Sequence, residues 1–211
     1  MDTKDRAASV LKGTTTVGII CSDGVVMGAD SRVTMDTYIA STEGVKVFKI
    51  DEALALTIAG GVGDANYLVK LIKVQNEMYK MDEGKPLSPS AASSLLSLIL
   101  QENKFSMYYA WFIVGGLQKG MPELYNIDFF GGSVKESRFT SVGSGQFVAL
   151  GYLESVYAPS ITVQDGVKYA AKALQLAMKR DAATGDALKI VAMSKKGFKE
   201  YTKEEIEKLQ K

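Results

Sequence analysis

Gly13 and Thr14 open the run Gly-Thr-Thr-Thr-Val over residues 13–17, in a chain that contains no histidine. Without histidine, neither a Ser-His-Asp triad nor a Cys-His pair can be built. A threonine can still serve as nucleophile if its own α-amine acts as the base, and a cut just before it must first free that amine. A glycine followed by a threonine, where a β-run begins, supplies both parts. Threonine-rich strand starts also arise for structural reasons, so the chemistry depends on what the rest of the chain brings to Thr14.

The composition narrows the choice. A length of 211 residues suits one compact layered domain. Apolar residues at 46% and charged residues at 23% are close to the average of soluble globular proteins, so a packed core is within reach. With 25 basic and 24 acidic side chains the net charge is +1, which argues against capture of nucleic acid or an anionic membrane. Cys21 is the single cysteine, which excludes an internal disulfide and a multi-thiolate zinc site, and the missing histidines remove the usual metal ligands. No metal and no cofactor is expected, and a reducing, cytoplasmic setting is the easiest fit. No run approaches the ~18 apolar residues of a membrane span. Met1 to Gly13 carries Asp2, Lys4, Asp5, Arg6 and Lys12 and lacks the apolar centre of a signal peptide. It reads either as a propeptide or as a ragged terminus.

These residues must be positioned by elements that the pattern also predicts. Thr15 to Ser22 is a β-run, and Asp23-Gly24 is a hairpin signal leading into Val25 to Ala29. Val45 to Ile50 and Ala53 to Ala59 form a second pair. After Gly60, Gly61 and Gly63, Asp64 can cap a helix whose apolar face is Leu68, Leu71, Ile72 and Tyr79. A second helix spans about Ser90 to Asn103. Strands follow at Tyr108 to Leu117, Leu124 to Asp128 and Ser137 to Val142, with a third helix from the Gly143-Ser144-Gly145 segment to about Tyr157. Val167, Ala170, Ala171, Leu174, Ala177 and Met178 form the clearest apolar stripe, opposite Lys168, Lys172 and Lys179, and read as core packing. A strand at Leu188 to Met193, a Lys196-Gly197 turn and a short polar helix from Lys203 end the chain. The order of strands, two helices, strands, two helices and strands gives an α+β domain. Two antiparallel sheets face to face, each covered by a helix pair in a four-layer αββα sandwich, would bury every apolar face.

Five motifs in register carry a resemblance. They are Gly13-Thr14-Thr15-Thr16-Val17-Gly18, Gly28 to Thr34 (Gly-Ala-Asp-Ser-Arg-Val-Thr), Lys46 with Ile58 to Asp64, Gly143-Ser144-Gly145, and Arg180 to Gly185. Together they resemble the proteasome β subunits, especially the archaeal kind, from Gly13 to the C-terminus. The resemblance implies the N-terminal nucleophile hydrolase fold and a threonine peptidase. Residues 1–13 would then be a propeptide removed by self-cleavage between Gly13 and Thr14, and 14–211 the catalytic domain. It also implies assembly into a barrel of heptameric rings, in which β rings are enclosed by rings of proteasome α subunits. A regulatory ATPase would act through the α ring on unfolded polypeptide substrates.

The resemblance assigns roles residue by residue. Thr14 is the nucleophile; its β-branched side chain holds the hydroxyl near one geometry. Lys46 is the ammonium that lowers the pKa of the freed amine, and Asp30 pairs with it. Gly60 offers its N–H to the oxyanion. Ser144, Asp181 and Thr184 are accessory residues near the amine, with Thr184 standing where the family often has serine. Taken singly, Lys46 reads as a solvated charge, Asp30 as a turn or cap residue, Gly60 as a glycine starting a helix and Ser144 as a helix cap. An extended substrate would pair with the backbone around Thr34 and Gly60. Val33, Ile58 and Val62 would line the pocket for the residue before the cut, predicting cleavage after apolar or aromatic residues rather than acidic ones. Three other readings stay beside this one: a catalytically silent β-type ring subunit that keeps its leader, the bacterial two-component protease relative, and an amidase acting on small molecules.

Overall fold

The β-branched run after Gly13 forms β1 (Thr15–Cys21), which turns at the Asp-Gly signal into β2 (Gly24–Asp30). In this computed structural model the residues described are 13–103, 105 and 107–210. The expected leader therefore lies outside them, apart from its last residue, Gly13. A hairpin of β3 (Val33–Met35) and β4 (Tyr38–Ser41) comes next, followed by β5 (Val47–Asp51) and β6 (Leu54–Gly60). Two helices, α1 (Val62–Glu83) and α2 (Pro89–Glu102), lead to β7 (Ala110–Gln118), β8 (Met121–Ile127), β9 (Ser133–Glu136) and β10 (Phe139–Gly143). The chain continues through α3 (Gln146–Val156), α4 (Val163–Met178), β11 (Leu188–Ser194), β12 (Gly197–Tyr201) and α5 (Lys203–Gln210).

The strands make two five-stranded antiparallel sheets, ordered β10-β1-β2-β11-β12 and β5-β6-β7-β8-β9. Period-2 alternation assigns each face of a strand to a different layer. Met27 and Ala29 of β2 pack with Ala55 and Ala59 of β6 and Ile113 of β7, so the sheets face each other. From the first sheet, Val17 and Ile19 turn outward onto Val167, Ala170 and Leu174 of α4. Leu54, Leu56 and Ile58 of the second turn outward onto α1 at Leu68 and Ile72 and α2 at Leu96. The αββα sandwich expected from the pattern is therefore observed, with the stripe of α4 in the core. A capping box between Thr162 and Asp165 starts that helix.

Several local expectations need correction. The hairpin β3–β4 and the strands β9 and β12 were not read from the sequence. β9 and β12 end their sheets, and β3–β4 is short and largely exposed, so none has a fully buried face to give a period-2 signal. Strand β8 starts earlier than expected because Pro122 lies ahead of Leu124, where pairing with β9 begins, so its missing N–H interrupts no ladder there. Asp64 does not cap α1: Gly61 holds that position, and the Asp64 carboxylate instead accepts the Tyr109 N–H at 3.0 Å. No described helix is long and apolar enough to cross a membrane.

Candidate active site

One end of the sandwich gathers the start of β1, the ends of β2, β6 and β10, and the loops before β5 and β11. The antiparallel register brings them together: Thr15 lies opposite Gly143, and Asp30 opposite Leu188. Six of the seven residues assigned to catalysis, all but Gly60, hydrogen-bond within this end, in two clusters that meet at Thr14 and Thr15.

The first cluster centres on Asp30, whose residue is 1% exposed. Its Oδ1 accepts the Thr15 N–H and the Lys46 ammonium, both at 2.9 Å, and its Oδ2 accepts the N–H groups of Gly185 (3.0 Å) and Arg32 (3.1 Å). Four donors thus compensate a carboxylate removed from water. Lys46 is 5% exposed. Burial pushes its pKa below the ordinary lysine value, and the Asp30 charge only partly offsets this. A surface reading of Lys46 is excluded by that burial, and a cap role for Asp30 by its partners.

The second cluster runs through hydroxyls. The Thr14 N–H donates to Ser144 Oγ at 3.2 Å, and the Ser144 and Thr184 hydroxyls both donate to Asp181 Oδ2. Thr15 Oγ1 lies 2.7 Å from Thr184 Oγ1, both residues being fully buried. Ser144 does not cap α3, whose N-cap is Gly145. Gly143, at φ 108°, leaves its chain so close to Thr14 that a Cβ there would meet the Thr14 carbonyl oxygen at 1.9 Å.

Thr14 is itself buried, and its hydroxyl donates to the Gly13 carbonyl oxygen at 2.7 Å. Thr14 opens onto a cleft of about 360 Å³ that Gly13, Thr34, Lys46 and Gly60 also line. Gly60 has φ 101°, and a Cβ would sit 2.4 Å from the Tyr109 carbonyl oxygen, so only glycine fits. Strand alternation puts its N–H on the same edge as that of Ile58, which donates to the Lys46 carbonyl at 3.0 Å. The Gly60 N–H therefore faces the cleft side of β6, just past the point where β5 covers it.

Val33, Ile58 and Val62 line the same cleft. Sequence reasoning missed Gly44, Val45, Phe48, Asn66 and Lys70, which also line it. Asn66 and Lys70 lie on α1 four residues apart, one and two turns beyond Val62, and that spacing alone could have found them. Arg32 was also missed. Its guanidinium forms a forked pair with Asp186 (3.0 and 3.2 Å) and donates to the Ala182 carbonyl at 2.8 Å. It thus braces the loop that carries Asp181, Thr184 and Gly185. The Arg32 hydrogen bond holds the Asp186 carboxyl below its ordinary pKa.

The arrangement couples a hydroxyl, a buried ammonium–carboxylate pair and a backbone N–H around one peptide bond, the components of acyl transfer. A family model described as "Proteasome subunit" matches residues 10–193. "Proteasome subunit beta 1" of Thermococcus onnurineus is 44% identical over 97% of this chain and 100% of its own length. "Proteasome subunit beta 2" of Pyrococcus furiosus is 43% identical over 95% of this chain and 97% of its own. "Proteasome subunit beta" of Archaeoglobus profundus is 42% identical over 95% and 93%.

Proposed function

This chain belongs to the family of proteasome β subunits, and on that premise we propose that it is a threonine peptidase of the proteasome core, activated by its own cleavage between Gly13 and Thr14. The observation that carries the reading is the placement of the Thr14 hydroxyl 2.7 Å from the Gly13 carbonyl oxygen, at the mouth of a cleft containing the Lys46–Asp30 pair. In self-cleavage Thr14 Oγ bonds to the Gly13 carbonyl carbon, the Gly13–Thr14 C–N bond breaks, and the hydroxyl proton passes through water to the departing nitrogen. Water then hydrolyses the ester, leaving a Gly13 carboxylate and restoring the Thr14 hydroxyl. Residues 1–13 leave as the propeptide, and 14–211 remain as the catalytic domain.

The freed amine then serves as base for peptide hydrolysis. An α-amine has a reference pKa of about 7.7–8.0, and the Lys46 charge lowers it toward a neutral base at working pH. The amine takes the Thr14 hydroxyl proton as Oγ attacks and returns it to the leaving nitrogen, while the Gly60 N–H receives the oxyanion. Ser144 already accepts from this nitrogen and donates to Asp181, which also accepts from Thr184, and this supports their role as a proton relay through water.

Substrate enters as an extended strand between the β3 edge at Thr34 and the β6 end at Gly60. Val33, Ile58 and Val62 favour an apolar or aromatic residue before the cut. Assembly with α subunits and further β subunits into heptameric rings belongs to the same reading. It is supported by apolar side chains left exposed on the outer helices, among them Tyr67, Val74 and Met78 of α1 and Phe147 of α3. A cytoplasmic location is supported by the single, buried Cys21 thiol.

Hydrolysis of leucine, tyrosine and glutamate reporters by particles assembled with the α partner tests the proposal. The leucine or tyrosine reporter is expected to turn over fastest, and Thr14→Ala to abolish all turnover. Faster glutamate turnover would overturn the specificity, and Thr14→Ala activity equal to the unaltered chain would overturn the nucleophile.

A further inference from the structure

Gly13 is held on three sides. Its carbonyl accepts from Thr14 Oγ1 at 2.7 Å, and its N–H donates to Thr34 Oγ1 at 3.1 Å. Its Cα lies so close to Ala183 that an added Cβ would fall 1.6 Å from the Ala183 Cβ. Thr34 sits on β3, a strand of only three residues, yet its side chain is 4% exposed while the neighbouring Met35 is 60% exposed. The one hydroxyl that β3 buries is thus aimed at the amide that precedes the bond to be cut.

We propose that the Thr34 side chain is a positioning residue for removal of the leader, acting through the Gly13 amide; this rests on the self-cleavage reading above. Glycine has the widest backbone freedom of any residue, so nothing in Gly13 itself fixes the plane of its carbonyl. Contact with Ala183 limits where the Cα sits but leaves rotation about it open. The carbonyl lies in the peptide plane whose N–H, that of Thr14, donates to Ser144 Oγ at 3.2 Å. The hydrogen bond from the Gly13 N–H to Thr34 anchors the other side of the Cα, so that the carbonyl is presented to Thr14 Oγ in one orientation. Attack geometry is sensitive to displacements of this kind. The role differs from strand addition by substrate, which uses the Thr34 backbone and needs no hydroxyl. It is also specific to the precursor, because Gly13 is gone once Thr14 is free.

The test follows intact mass over time for the full chain after mixing with its α partner, comparing the unaltered chain with Thr34→Val and Thr34→Ser. Valine keeps the shape but removes the acceptor; serine keeps the oxygen. Leaving one buried N–H unpaired predicts slowing of roughly 5- to 100-fold for Thr34→Val, with Thr34→Ser near the unaltered rate. A second chain, starting at Thr14 and carrying Thr34→Val, is expected to assemble as the unsubstituted leaderless chain does. Equal cleavage rates for all three full chains would overturn the proposal. So would equal slowing by valine and serine, or failure of the leaderless Thr34→Val chain to assemble. An unaltered chain that keeps its leader in assembled particles would overturn the self-cleavage reading, and this inference with it.

Discussion

The Lys46 ammonium lies 2.9 Å from Asp30 Oδ1, and the two partners are unequally provided for. Asp30 also accepts three backbone N–H groups, from Thr15, Arg32 and Gly185, whereas Lys46 has Asp30 as its ion-pair partner. Removing either residue should cost activity by about 10²–10⁴-fold, the range for a lost acid–base group. Their effects on stability should differ. Asp30→Ala strands a buried ammonium and three N–H groups and should cost about 3–5 kcal/mol. Lys46→Met leaves a carboxylate still held by three donors and should cost clearly less. Urea unfolding of the two variants checks the order; equal losses would contradict the asymmetry.

Burial lowers the Lys46 pKa from its ordinary value of 10.5. On the proposed reading, in which the Lys46 ammonium tunes the Thr14 amine, that charge is lost sooner on the alkaline side than an exposed lysine would lose it. The alkaline limb of kcat/KM against pH should fall below 10.5. The linkage sign follows: a folded value below the unfolded one adds stability above the unfolded value and loses it as pH falls through the folded one. Near neutral pH the buried Lys46 charge therefore adds no stability through its own titration. A limb at or above the ordinary lysine value would contradict the burial argument.

Gly60 joins a left-handed backbone, at φ 101°, to a contact that leaves no room for a Cβ. Gly60→Ala should cost roughly 1–3 kcal/mol of stability from strain. If the Gly60 N–H receives the oxyanion, the shift should also lower kcat by about 10²–10³-fold, with a smaller change in KM. Steady-state kinetics on an assembled particle separates the two. A variant that is destabilised but retains full kcat would leave Gly60 a structural residue only.

Cys21 takes no part in the chemistry. Burial, with smaller contributions from Asp23 and Asp165, pushes its thiol up to about 12 from 9.0. A raised folded value gives stability that is whole below the unfolded pKa and is lost as pH rises, here between 9.0 and about 12. The native chain should resist alkylation at pH 8 and label only when unfolded in urea. Rapid labelling of the folded chain would contradict this placement.

The parts of the molecule with a repeating buried face were legible in the sequence, and the edges were not. The α4 stripe and the β1–β2 and β5–β6 pairs each bury one face and keep the periodicity that burial imposes. Strands β9 and β12 lie at sheet edges with half-polar sequences, so no such signal was present. At the site, Thr14, Asp30 and Lys46 could be named because they lie in short motifs with a fixed register. The clamp of Arg32 on Asp186 joins residues 154 positions apart and needs the fold before it can be seen. The same is true of the hydroxyl chain from Thr15 through Thr184 to Asp181, which links the two carboxylate clusters only once β1 lies against the loop before β11.

The most direct test of the central claim is the intact mass of this chain after full assembly with its α partner. Self-cleavage at the bond where Thr14 Oγ meets the Gly13 carbonyl predicts a chain that begins at Thr14, with Met1 to Gly13 gone. The Thr14→Ala variant should keep the leader under the same conditions. Assembled particles that retain the full-length mass in the unaltered chain would contradict the claim and leave a ring subunit without a freed nucleophile.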